Sequence, residues 1–145
     1  MGLDSRFNGS AVKIWTALSH IIHSSGSGGA SNFAGFEFAT AIVATGSADS
    51  GLKLSFERSG TSNGTFASFG ASFPTIQSGA SGSGITYVRS FSLDSSAAWY
   101  RLVYDKLGLG DTEAKVVMML EGARNIPITQ DTGYGTTIYS DVIGG

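Results

Sequence analysis

The chain has no cysteine, and only two of its 145 residues are proline. The missing cysteine excludes disulfides, zinc ribbons and thiol catalysis, and leaves the redox compartment open. Charge is sparse too: 9 basic and 11 acidic residues make up 14% of the chain, for a formal net charge of −2. Ordinary domains carry about 25%. The basic residues form no cluster, so there is no electrostatic footprint for nucleic acid or an anionic membrane. No apolar run approaches the ~20 residues of a membrane-spanning helix. The opening Met1-Gly2-Leu3-Asp4-Ser5-Arg6 lacks the basic-then-apolar order of a signal peptide, and Arg6 stands where a myristoylation motif wants Ser or Thr. The expectation is a soluble chain, not obviously exported.

What the chain does have is glycine, 21 of 145 residues, and aromatics at 11%. Glycine at about twice its usual ~7%, with so little charge, argues against a coiled coil, a helical bundle or a charged disordered tail. A Gly/Ser-rich β-protein remains, and a domain of this length can bury ~70% of its unfolded surface without staples.

Alternation locates the strands. Phe36–Thr45 puts Phe36, Phe38, Thr40 and Ile42 on one face and Glu37, Ala39, Ala41 and Val43 on the other. Leu52–Arg58 turns Leu52, Leu54 and Phe56 inward and Lys53, Ser55 and Glu57 outward, and the turn cluster Gly46–Gly51 predicts that the two pair as a hairpin. Asn63-Gly64 marks another turn, ahead of a short strand and bend in Thr65–Phe73 that stops at Pro74. Thr86–Leu93 and Ala98–Asp105 are predicted as a second hairpin through Asp94-Ser95-Ser96-Ala97. Ala114–Gly122 is the most apolar strand and the best candidate for a central position. Residues 11–23 fit two patterns. Ala11, Ile14, Trp15, Leu18, Ile21 and Ile22 share a helical face, while Val12, Ile14, Leu18 and Ile22 alternate as a strand would. The β-branched and aromatic content favours extended structure. The expectation is an all-β antiparallel sandwich, jelly-roll-like, of about seven strands over residues 11–128. Residues 1–10 and 129–145 flank it as extended terminal arms.

The residues that carry chemistry in other proteins are weakly placed. His20 and His23, three apart, would share a helical face and could hold a metal, or point to opposite sides of a strand; no third ligand is evident and a polar rim at a strand end is expected. Asp94, Asp105, Asp111 and Glu113 fall in or beside two loops that could share one end of a sandwich and hold Ca²⁺ or act as an acid/base pair; turn chemistry accounts for them more simply. There is no Gly-x-Ser-x-Gly elbow, and the glycine clusters lack a phosphate-loop lysine. No enzyme, metal or cofactor is expected. Asn8-Gly9-Ser10 and Asn63-Gly64-Thr65 match the glycosylation tripeptide, a frequent chance match in such a chain. Alternation puts Tyr100, Leu102 and Tyr104 on one face and Trp99, Arg101 and Val103 on the other. The aromatics Trp99, Tyr100 and Tyr104 are read as core or subunit interface ahead of a sugar-stacking platform. Arg89 and Arg101 lie within apolar faces and each needs a carboxylate such as Glu57 or Asp105.

Five segments in order carry a resemblance: Gly35-Phe36-Glu37-Phe38-Ala39, Leu52-Lys53-Leu54-Ser55-Phe56-Glu57, Asn63-Gly64-Thr65-Phe66, Trp99-Tyr100-Arg101-Leu102-Val103 and the stretch Ala114–Pro127. Together they resemble small tailed-bacteriophage virion structural proteins, over residues 11–128. The resemblance implies a β-sandwich of the particle, of the capsid decoration or cement type, which would sit on the capsid surface after assembly in the host cytoplasm. Its implied partners are the major capsid protein and further copies of itself, a trimer being one such homo-oligomer, with no nucleic acid and no membrane. Leu3 and Phe7 at one end, and Ile126, Ile128, Tyr134, Ile138 and Tyr139 at the other, are candidate anchors of arms that order on a neighbour by strand addition. Two other roles stay open: a tail, fibre or spike module that binds host surface glycan, and a head–tail connector component.

Overall fold

The computed structural model describes residues 12–93 and 97–122, apart from the side chains of residues 70–72. Both predicted arms, with Leu3, Phe7, Ile126, Ile128, Tyr134, Ile138 and Tyr139, lie outside the described residues, as do Asp94 and the tripeptide at Asn8. Nine strands build the rest: β1 (Lys13–Ile22), β2 (Gly26–Ser27), β3 (Ser31–Asn32), β4 (Phe38–Ala48), β5 (Leu52–Ser59), β6 (Ala67–Ser72), β7 (Thr86–Ser92), β8 (Trp99–Lys106) and β9 (Thr112–Glu121). They form two antiparallel sheets. The first runs β1-β9-β4-β7. The second runs β2-β8-β5-β6, with β3 pairing β8 alongside β2. The chain passes back and forth between sheets, which is the double-sheet jelly roll.

That topology corrects both predicted hairpins. β4 and β5 lie in different sheets, and so do β7 and β8; β5 and β6 are the consecutive pair that lie side by side. Alternation reports which side chains are buried, and it is silent on which strand lies next door. The Gly46–Gly51 stretch arches between layers. Ala48 still pairs with Thr112 beyond a register shift, Asp49 N donates to Asp111 O at 2.8 Å, and Leu52 then bridges to Ile76 in the other layer.

Residues 13–22 are extended, and the bulge in β1 explains their double pattern. Thr16 pairs with Val117 and Leu18 with Val116, so Ala17 is the extra residue. A bulge reverses side-chain parity. Trp15 and Leu18, three apart, therefore both point inward, a spacing that imitates a helix. Trp15, not Ile14, fills the core.

β9 is central in the first sheet, between β1 and β4. Its Ala114, Val116, Met118 and Leu120 face inward, as do Ala39, Ala41 and Val43 of β4. The small side chains of β4 leave interlayer space that rings occupy. Phe33 stacks on Tyr100 at 4.7 Å, Trp15 meets Phe33 edge-on at 5.4 Å, and Phe56 packs on Phe73 and Phe91 at 5.6 Å each. Such pairs add ~0.5–1.5 kcal/mol each to the area they bury.

Candidate assembly surface

Inward-facing small residues on β4 mean that its larger side chains face outward, and the same row continues across the sheet. In register, Thr16, Val117, Ile42 and Val88 form one outer row, and Ile14, Met119, Thr40 and Ser90 the next. Phe38 is 48% exposed and Val88 61% exposed. Ile14, Ile42, Val117 and Met119 are half-buried. Thr40 and Ser90 satisfy each other's hydroxyls at 2.9 Å. The charges on this face, Glu113 and Lys115 toward one end and Glu121 at the other, leave the middle uncharged. A shallow hollow of about 390 Å³ beside Ile21, Ala44, Glu113 and Lys115 marks the first of those ends. Phe38 and Val88 are the functional candidates that sequence reading missed. The signal was present in Ala39-x-Ala41-x-Val43, which is small enough to be the inward face against bulky rings.

The outer face of the second sheet is different in kind. Lys53 pairs in register with Asp105, Ser55 with Val103, Glu57 with Arg101 and Ser59 with Trp99. Arg101 donates from Nε to Glu57 Oε1 at 3.0 Å, and its guanidinium lies 4.3 Å from the Phe66 ring centroid. The expected carboxylate partner of Arg101 is therefore Glu57. Arg89 was expected within an apolar face and is instead exposed on the edge strand β7, where solvent solvates it. An open groove of about 670 Å³ runs between Ser25–Ser27 and Lys53–Glu57, with Val103 and Asp105 in its floor.

The three candidate aromatics separate along β8. Tyr100 is fully buried against Phe33 and Phe69. Tyr104 faces the same way but is half-buried near the end of the sandwich, with His20 edge-on at 5.8 Å. Only Trp99 faces outward, half-buried. No platform of three rings exists.

At the end reached by the β8–β9 loop, His23 Nδ1 and Asp111 Oδ2 are 2.9 Å apart. Lys106 Nζ donates to His23 O and Leu109 O, and Ser25 Oγ donates to Asp105 Oδ1. His20 and His23 thus have separate partners. Asp105, Asp111 and Glu113 do gather at one end, but Asp105 and Asp111 are tied into hydrogen bonds that brace the loop. Among the described residues, no group of three or more His, Asp or Glu side chains could hold a metal ion. The braced loop presents Leu109 fully to solvent and Leu107 at 52% exposure. Tyr87 of β7, 6.2 Å from the Phe73 ring, donates to Pro74 O at 3.4 Å, and burial pushes its pKa up to about 12.

No family model matches the chain, and no curated protein matches it. A chain in the structure of infectious bursal disease virus Gx strain is similar at 15% identity with a TM-score of 0.43. The match covers 88% of this chain and 38% of that one, so this protein spans well under half the length of the chain it matches.

Proposed function

We propose that this chain is a virion structural protein, a capsid decoration protein that binds across neighbouring shell subunits and acts by adhesion, not by catalysis. The observation that supports this reading most is the outer face of the first sheet, uncharged through its middle, with Phe38 and Val88 exposed on an otherwise well-packed sandwich. Exposed apolar side chains joined by the half-buried Ile42, Val117 and Met119 are the kind of surface that marks an interaction site. The sequence resemblance to phage virion proteins supplies the kind of particle. Many weak contacts repeated over a shell gain by multivalency what one contact lacks.

Two experiments test it. Mass spectrometry of purified particles should find the chain in fixed stoichiometry with the major shell protein; absence from particles refutes the reading. Deleting residues 129–145 should leave the sandwich folded and weaken attachment, and unchanged attachment would remove the arm from the proposal. A second reading is favoured by Trp99, which faces outward on the same sheet as the open groove with its hydroxyl and carboxylate lining. It makes the protein a tail or spike module for host glycan, and predicts polysaccharide binding that Trp99→Ala abolishes without unfolding.

A further inference from the structure

Among the described residues, β7 pairs with β4 alone, so its other edge presents a row of backbone donors and acceptors. Among the described residues this seven-residue edge has no proline and no bulge, and its one charge, Arg89, falls on the row in register with inward Ala41; such an edge is a template for another strand. Its outward side chains Thr86, Val88, Ser90 and Ser92 carry no charge. Val88 lies in register with Ile42, so an added strand would meet the apolar strip of the first sheet as well as the edge.

Chain to fill that edge begins nearby. β9 ends at Glu121, and Gly122 turns at φ 70, where a Cβ would stand 3.3 Å from the Phe38 ring and 3.0 Å from Glu37 Cβ. The 23 residues that follow include Ile126, Ile128, Tyr134, Ile138 and Tyr139. Fully extended they span about 75 Å, roughly twice the length of β9. The direct way across to the same copy's β7 is filled by backbone. Glu37 N donates to Glu121 O at 3.1 Å and Leu93 N to Glu37 O at 2.9 Å, which continues the ladder one row beyond Phe38.

We infer that the segment between Ile126 and Tyr139 of one copy adds as an extended strand to the β7 edge of a second copy, with its apolar side chains against Val88. This rests on the assembly reading above and adds a partner beside the shell: the β7 edge takes a second copy of this chain, and the face through Ile42, Met119 and Phe38 stays open for the particle. Main-chain pairing supplies affinity, and the apolar strip supplies register. Each copy both donates and accepts, so the contact is head-to-tail and closes into a ring when the rotation allows.

The absence of cysteine makes the test clean. Two full-length chains, one carrying Ser90→Cys and the other Thr137→Cys, are mixed and treated with a short bismaleimide. The expected product is a covalent dimer of the two variants. Adding Val88→Glu to the first chain, or Ile138→Glu to the second, should lower its yield at least about fivefold, as truncating a central contact does. Circular dichroism should show both chains still folded. Two results overturn the inference: no crosslinked dimer, or a doubly substituted chain that crosslinks within itself, which would place the segment on its own β7. Particle copy number is read separately. A virion protein that fails to crosslink refutes the strand exchange alone, and a crosslinked dimer absent from particles refutes the virion reading alone.

Discussion

The two outer faces of this sandwich are made from the same strand pattern and solve opposite problems. On the second sheet the outward positions carry Lys53, Glu57, Arg101 and Asp105 in facing pairs, so the surface is content in water. On the first sheet the middle rows carry Ile42, Val88, Val117 and Met119 without charge, and the charges lie at the ends, Glu121 beside Phe38 and Glu113 with Lys115 opposite. Solubility alone would favour the first arrangement on both sides. On the proposed reading, the second face is the one kept wet and the first the one that makes contact.

The largest expected effect separates both faces from the layer between them. Tyr100→Ala should cost about 3–5 kcal/mol of stability, read by denaturant unfolding, because it removes a ring stacked on Phe33 and met edge-on by Phe69. Trp99→Ala, one residue earlier but outward, should cost clearly less; equal costs would mean that Trp99 is as much core as Tyr100.

Next is the contrast itself. Phe38→Ser with Val88→Ser should lower particle attachment about tenfold or more, with little change in unfolding midpoint, since both side chains are about half exposed or more. If the pair leaves attachment intact while Lys53→Ala with Asp105→Ala abolishes it, the faces have been assigned the wrong way round. Arg101→Ala is a smaller test. Its pair with Glu57 sits at the surface, so the loss should be within about 1 kcal/mol, with attachment unaffected.

The smallest effect concerns pH. Tyr87 has its pKa raised from 10.0 to about 12 by burial. The folded state therefore holds this proton more tightly than the unfolded chain. Its contribution is fully present below pH 10 and is lost as pH rises through the folded value. Stability should fall between about pH 10 and 12, and Tyr87→Phe should flatten that fall. An unchanged slope in the variant would assign the loss to other groups.

Much of this fold was legible in the chain. Leu52-x-Leu54-x-Phe56 and Ala114-x-Val116-x-Met118-x-Leu120 state their buried faces outright, and the apolar content of β9 placed it centrally. Strand partners were not legible. Gly46–Gly51 reads as a hairpin turn, yet its chain crosses between layers, because long-range pairing with Asp111 and Ile76 decides its path. The bulge at Ala17 hid the parity of β1 in the same way. The assembly surface was half visible: the alternation of residues 36–45 separated the two faces, but choosing the inward one required knowing that rings from the opposite layer need Ala39 and Ala41 beneath them. The exposed Leu109 was not legible either, since only the hydrogen bonds of Lys106 and Asp111 show that its loop is braced outward.

The most direct test is carbene footprinting of the protein free in solution and bound to particles. The account predicts that Phe38 and Met119 lose labelling on binding while Lys53, Trp99 and Asp105 keep theirs. Protection of the second face with the first still labelled would contradict it.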